Sequence, residues 1–194
     1  MRSDYIPLVP GAVWLQERLG EGLLWRPDEA VLPAEPTHAG SREFLLTIGF
    51  PAVHLDVVGI DTRHLLDEDG MEPFDADEIY GERHSDDDSP PTNFCFTVAT
   101  WYDQHLMLDA ANGGITHYDP NGWDHGAGWK GPAADDLPVL AVLLGLIAES
   151  SSALESADDA VRATAVTDLR KRMTGLEPYV EDSAFWDEIF ECLG

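Results

Sequence analysis

The stretch HLMLDAANGGITHYDPNGW, residues 105–123, gathers residue types that could do chemistry. It contains His105, His117 and Asp119, and His125 follows two residues after it. Imidazoles and carboxylates are common zinc ligands and common general acids and bases. A metal-dependent hydrolase that uses these four side chains is therefore one hypothesis for the chain.

The turn at Asn112-Gly113 decides whether the two histidines could share a ligand. Asn-Gly between alternating apolar residues is a hairpin signature. A two-residue turn pairs Leu108 with His117 and puts His105 on the other face of the sheet, and a four-residue loop keeps that parity. Only a three-residue loop with a bulge brings both imidazoles to one face. The favoured turns therefore argue against a shared metal ion.

Other patterns that carry chemistry are missing from the sequence. We find no H-E-x-x-H spacing, calcium-binding loop, P-loop, G-x-G-x-x-G or G-x-S-x-G elbow. Cys95 lies in an apolar run and Cys192 in a predicted terminal helix, and neither has the basic neighbours that would favour a thiolate. We expect two free, buried thiols, with a disulfide as the alternative. We predict no catalytic residue, no metal and no cofactor, and hence a protein that is not an enzyme.

Charge is the most unusual feature of the composition. The 194 residues include 37 Asp and Glu but only 11 Lys and Arg, a formal net charge of −26. Such a field repels nucleic acids and anionic membranes and attracts basic proteins. We therefore expect a protein partner and no direct binding of nucleic acid or membrane. Solubility, or adaptation of a whole GC-rich proteome to salt, is the alternative explanation of the charge.

The N-terminal residues and the longest apolar run predict a cytoplasmic protein. Prolines in MRSDYIPLVPG occupy the place where a signal peptide has its apolar stretch. The longest apolar run, residues 137–148, is too short to span a bilayer.

The first two thirds of the sequence predict a short helical start followed by strands. Residues 14–25 indicate an amphipathic helix interrupted by glycines, and an irregular arm leads to Gly40. Ser41 can cap a helix that Gly49 ends. The strand candidates are AVHLDVVGI, FCFTVATWY and the hairpin, followed by a glycine-rich connection over residues 123–131.

The last third predicts helices. Asp135 or Asp136 caps a nearly all-apolar, buried helix. The next helix has one apolar stripe and ends in residues 170–172, three basic side chains that suit its dipole. Ser183 opens a last helix. Its predicted apolar face consists of Phe185, Trp186, Ile189, Phe190 and Leu193. The stripe of the preceding helix consists of Leu154, Val161, Ala165, Leu169 and Met173.

This order of elements predicts an α+β fold, with a central, largely antiparallel sheet flanked by helices. One domain spans residues 1–194. It comprises an N-terminal helix and arm (1–40), a strand-rich middle (41–130) and C-terminal helices (135–194).

Three of these landmarks together resemble the SUKH superfamily, in particular its fourth subfamily of bacterial immunity proteins. A helix ends in the phrase Ile48-Gly49-Phe50-Pro51, and a hairpin carries Leu108-Asp109 and Gly114-Ile115. A buried helix follows, and a terminal segment contains Phe185-Trp186. One departure is the phrase at residues 131–136, where the family usually has small polar residues.

The resemblance implies a SUKH-like domain that binds another protein and catalyses nothing. Many bacterial members neutralise toxins, often nucleases or nucleic-acid deaminases, and others are regulatory adaptors. The segment Asp56–Asp88 is the best place for charge complementary to a toxin, since thirteen acids there face only Arg63 and Arg83. A solvated loop without a partner is the alternative. The candidate partner-binding residues are Asp67, Asp69, Asp75, Asp77, Asp86, Asp87 and Asp88.

Overall fold

The computed structural model describes residues 6–82, 84, 88–121 and 128–194, and it shows an α+β fold in one domain. The helices are α1 (Ala12–Leu19), α2 (Ala39–Thr47), α3 (Ala76–Ile79), α4 (Leu137–Leu154), α5 (Asp159–Leu176), α6 (Tyr179–Asp182) and α7 (Ala184–Leu193), with a 3-10 helix at Arg63–Leu66. The strands are β1 (Leu24–Trp25), β2 (Phe50–Pro51), β3 (His54–Leu55), β4 (Ile60–Asp61), β5 (Pro73–Asp75), β6 (Phe94–Trp101), β7 (Gln104–Asp109), β8 (Ile115–Tyr118) and β9 (Trp129–Ala134).

The large sheet is antiparallel throughout its described part. Seven strands form it in the order β3-β4-β6-β7-β8-β9, and β5 also pairs with β6. Strands β4 and β5 lie along the same edge of β6, because Ile60 pairs with Trp101 near one end and Phe74 with Cys95 near the other. The sheet predicted from FCFTVATWY and the hairpin is confirmed.

Different elements pack against the two faces of the sheet. Leu106, Leu108 and Ile115 belong to the main core together with α4, and we call this side the α4 face. Met107 and Tyr118 point the opposite way and pack with Ile79 of α3 in a smaller cluster, and we call this side the α3 face. The alternation of β7 therefore distributes its residues between two separate cores.

Helix α4 is the centre of the main core. The carboxylate of Asp136 accepts a hydrogen bond from the backbone N–H of Val139, which caps the helix as predicted. Within the described residues α4 is the one helix long and apolar enough to cross a membrane, and 67% of that window is buried inside the fold. It contacts α1, α2, α5 and β9, so its apolar surface is used by this protein's own packing.

Helix α7 covers one end of the α4 face, as its apolar stripe predicts. The indole N–H of Trp186 donates to the carbonyl of Ala133 in β9 at 2.7 Å. The five predicted stripe residues are all buried: Phe185, Trp186, Ile189, Phe190 and Leu193.

The first helices differ from the prediction in their bounds. Helix α1 ends at Leu19, because Gly20 and Gly22 adopt positive φ, and the chain then pairs Leu24–Trp25 with Phe50–Pro51. Helix α2 is capped by the His38 ring, which accepts from the backbone N–H of Ser41, so the helix starts before the predicted cap. Gly49 ends it at φ +90°, as predicted.

Two strand predictions also differ. AVHLDVVGI forms the β3-β4 hairpin instead of one strand, with His54 paired to Asp61. The predicted connection over residues 123–131 gives way to β9 at Trp129, where pairing to Tyr118 of β8 begins.

The basic residues 170–172 do not end α5, which continues to Leu176. Arg170 lies 2.6 Å from Asp187 of α7, and Arg172 lies 2.8 Å from Glu149 of α4. These side chains therefore join α5 to its neighbours, and the predicted match to the helix dipole is wrong.

The apolar stripe of α5 and the burial of Cys192 also need correction. Val161 is exposed and Leu154 belongs to α4, so the buried part of the stripe is Leu169 and Met173. Both cysteines are free, but only Cys95 is buried, while Cys192 is exposed on α7.

Candidate functional site

The hairpin answers the question about the two histidines. Its strands pair His105 with Tyr118 and Leu106 with His117, and the backbone N–H of Asp109 donates to Gly114 at 2.9 Å. The loop therefore has four residues instead of the two of the simplest turn. Parity is kept, so the prediction that the imidazoles lie on opposite faces is confirmed.

Asp109 holds this loop in place. It is 4% exposed, and its Oδ1 accepts from the backbone N–H groups of Ala111 and Asn112 at 2.9 and 3.0 Å. Its Oδ2 accepts from the Tyr80 hydroxyl at 3.3 Å and the Asn93 amide at 3.0 Å. Four donors saturate a carboxylate. Asp109 therefore has a structural role in the loop.

His117 belongs to the α4-face core. It is 1% exposed, its ring lies edge-on to Phe185 with centroids 5.1 Å apart, and its Nε2 bonds the side-chain oxygen of Gln104. Burial lowers the pKa of this imidazole to about 4, against a weaker opposing effect of Asp119. It is a neutral core residue near pH 7.

His105 lies on the α3 face, with Nδ1 3.3 Å from the hydroxyl of Thr97. Burial, followed by the charge of nearby His64, lowers its pKa. Asp119 accepts from the backbone N–H of Asn121 at 2.9 Å, which is the turn chemistry expected of Asp-Pro-Asn-Gly. His125 lies outside the described residues.

This arrangement does not provide the shared metal site that the hydrolase hypothesis requires. His105 and His117 cannot hold one ion from opposite faces of a sheet. In the part of the chain that the structure describes, no three His, Cys, Asp or Glu side chains come together as metal ligands would.

The loop between the 3-10 helix and β5, residues 67–72, is the most acidic exposed part of the described chain, and we call it the acidic loop. Its four acids are Asp67, Glu68, Asp69 and Glu72, all exposed. Among the described residues, no Lys or Arg forms an ion pair with any of them.

The backbone of the acidic loop is nevertheless held firmly. Met71 is buried in the main core. A Cβ on Gly70 would lie 2.3 Å from the carbonyl oxygen of His64, so only glycine permits this close approach. The loop therefore presents its carboxylates from a fixed base.

The acids after the loop serve the fold, a role that the sequence prediction missed. Asp75 caps α3 by accepting from the backbone N–H of Asp77 at 3.0 Å. Asp77 is 9% exposed and accepts from the N–H and hydroxyl of Thr92, both at 2.8 Å. The spacing Asp75-x-Asp77-Glu78 is itself an N-cap signature that could have revealed the role of Asp75. Of the remaining candidates, Asp88 is exposed, and Asp86 and Asp87 lie outside the described residues.

Arg63 neutralises charge at the start of the Asp56–Asp88 segment. The Arg63 guanidinium bonds Asp61 and lowers the pKa of that carboxyl to about 2. His54 lies 3.2 Å from Asp56 and 3.1 Å from Asp61. Within the described residues, the fold's own cations thus stop short of the acidic loop.

A cleft of about 200 Å³ opens on the α3 face, and sequence reasoning did not anticipate it. We call it the α3 cleft. Phe74, Ile79, Met107, Tyr118 and Pro120 form its apolar lining, and Asp75, Glu78, Thr97 and His105 form its polar lining.

No protein-family model matches the chain. Neither a curated protein nor a solved structure matches it. Fold and surface define the class, a highly acidic α+β protein with an exposed acidic loop before β5.

Proposed function

We propose that this protein is a bacterial immunity-type protein of the SUKH kind. It would neutralise a cognate toxin by forming a stoichiometric complex with it through an acidic surface. The observation that carries the proposal is the acidic loop, where four carboxylates within six residues are exposed on an anchored backbone. Toxins that are nucleases or nucleic-acid deaminases present a basic surface to their substrate, and an acidic protein can cover that surface.

The physics of the acidic loop favours a charged partner. Repulsion between neighbouring carboxylates raises the free energy of the unbound protein, and contact with a basic surface would offset that repulsion. The Debye length is about 10 Å at 0.1 M salt, so the attraction acts mainly during encounter and weakens as salt is added. Complementary charge of this kind accelerates association more than it deepens final affinity.

A cytoplasmic location is part of the proposal. Burial, followed by the charge of Asp109, raises the pKa of the Cys95 thiol to about 12, and Cys95 and Cys192 are both free. Free thiols suit a reducing compartment. A regulatory adaptor would use the same surface, with a signalling or housekeeping protein in place of the toxin.

The test begins with the product of the adjacent gene. Co-expression of this protein should protect cells from that product, and the two purified proteins should form a complex of fixed stoichiometry. An adaptor would instead bind a protein from a strain that has no toxin. If the neighbouring product is not toxic, or is toxic without being bound or neutralised, the immunity proposal is wrong.

A further inference from the structure

One exposed tyrosine lies in a backbone conformation that its side chain disfavours. Trp101 pairs with Gln104, so two residues join β6 to β7. The first of them, Tyr102, has φ +53°, and within the described residues it is the one non-glycine residue with a positive φ. Two-residue hairpin connections usually have glycine, asparagine or aspartate at such a position, since a bulky side chain there is strained. The tyrosine therefore makes this turn less stable than glycine would.

The fold makes little use of the Tyr102 side chain. It is 77% exposed, more than any other large hydrophobic side chain in the described part of the chain. Its ring lies edge-on to Trp101, with centroids 5.2 Å apart, and a Cβ on Gly59 would lie 3.8 Å from its Cζ. Strained residues that the core does not require are typical of functional sites.

The base of this turn is rigid. The indole N–H of Trp101 donates to the carbonyl of Val58 at 2.8 Å, and its ring lies edge-on to Phe185 with centroids 5.7 Å apart. Trp101 is buried in the main core. The turn therefore presents the Tyr102 ring from a fixed position, and a side chain held in place before binding loses less conformational entropy. Tyrosine is also among the residues that most often dominate interface energies.

The charge beside the ring indicates which kind of surface it meets. Asp103 is exposed, and its Oδ2 accepts from the side-chain amide of Asn121 at 2.6 Å, a neutral donor that leaves the carboxylate its charge. The whole chain has a net charge of −26. This field attracts a basic surface, and cationic side chains favour the face of an aromatic ring.

We infer that Tyr102 is an aromatic anchor of the complex with the toxin, its ring against a cationic side chain of the toxin's basic surface. This inference deepens the proposed function and rests on it for the identity of the partner. The turn and the acidic loop are separate contacts, since the loop leads into β5, which pairs with the opposite end of β6. The acidic loop acts on the rate of encounter, whereas a well-packed aromatic ring acts on the rate of dissociation.

The test measures dissociation of the purified complex with the product of the adjacent gene, by surface plasmon resonance. Tyr102→Leu keeps the positive φ and an apolar side chain but removes the aromatic face, whereas Tyr102→Phe keeps that face. We expect Tyr102→Leu to dissociate about tenfold faster than wild type and Tyr102→Phe within about threefold of it. Equal dissociation of wild type and Tyr102→Leu would overturn the inference.

A second pair of variants separates binding from folding. Tyr102→Gly relieves the backbone strain, so its midpoint of urea unfolding should equal or exceed that of wild type, while its complex dissociates about tenfold faster. Tyr179→Leu, which removes a 42% exposed tyrosine ring from α6, is the control and should leave dissociation unchanged. A lower midpoint of Tyr102→Gly with unchanged dissociation would assign the tyrosine to the fold, and equal effects at positions 102 and 179 would remove its special role.

Failure of the inference and failure of the proposed function give different results. A toxin that is neutralised and bound equally by all Tyr102 variants would refute the anchor and leave the immunity role intact. If the adjacent product is not bound, the immunity role fails, and a photo-crosslinking p-benzoylphenylalanine is placed at position 102 or 179 in the host cell. A protein cross-linked from 102 alone, and released faster by Tyr102→Leu when purified, would support the anchor with another partner; no cross-link specific to 102 would refute it.

Discussion

The pH dependence of stability should reveal His117 as a neutral core residue. Burial lowers its pKa to about 4 from an ordinary 6.5. Because the folded-state pKa is the lower one, the unfolded chain binds the extra proton more readily as pH falls. Stability is therefore complete above pH 6.5 and is lost progressively as pH falls from about 6.5 to about 4. The full difference corresponds to about 3 kcal/mol, of which about 2 kcal/mol should be gone at pH 5.

The measurement compares urea unfolding, followed by tryptophan fluorescence, between pH 7.5 and 4 for wild type and His117→Gln. Glutamine can still donate to Gln104 but cannot titrate. We expect the wild type to lose about 2 to 3 kcal/mol more than the variant over this range. His84→Gln, an exposed histidine, is the matched control and should behave like wild type. Parallel pH profiles for wild type and His117→Gln would refute the reasoning.

Three further substitutions test how the hairpin and the terminal helix are held. The Asp109 carboxylate accepts four hydrogen bonds, and in Asp109→Asn the NH2 group of the amide would face two of these donors. The free energy of unfolding in urea should therefore fall by about 2 to 4 kcal/mol. Gly113→Ala should lower the free energy of unfolding by about 2 to 3 kcal/mol, and the melting temperature should fall with it. The residue has φ +82°, and a Cβ there would lie 2.1 Å from the His38 ring that caps α2. Trp186→Phe leaves the buried carbonyl of Ala133 without its donor and should cost about 1 to 3 kcal/mol by calorimetry. A loss below about 0.5 kcal/mol at any of these positions would contradict the contact assigned to it.

Local patterns predicted much of the fold. Helix α4 was predicted from its apolar run and the cap at Asp136, and helix α7 from an apolar stripe at helical spacing. The opposite faces of His105 and His117 follow from parity alone, which both favoured loop lengths share. In each case the decisive information lies within about twenty residues of sequence.

Features built from distant segments were not predicted. Strand β9 contains Gly131 and Pro132 and has little strand character of its own, so its pairing depends on the edge of β8 and on the hydrogen bond from Trp186. The α3 cleft needs β5 and α3 to fold against the hairpin. Asp77 is recognisable as structural only once Thr92 is beside it.

The central claim is that the acidic loop meets a basic surface, and the association rate with the toxin tests it most directly. The triple variant Asp67→Asn, Asp69→Asn, Glu72→Gln is compared with a control that removes three exposed acids from α5 and α7, Asp168→Asn, Glu188→Gln, Glu191→Gln. Stopped-flow measurements at low and high salt should show the loop variant associating about tenfold more slowly at low salt, with a weaker salt dependence, and the control close to wild type. Equal slowing by both variants would mean that only total charge matters, and no slowing by the loop variant would mean that the partner binds elsewhere; either result contradicts the account.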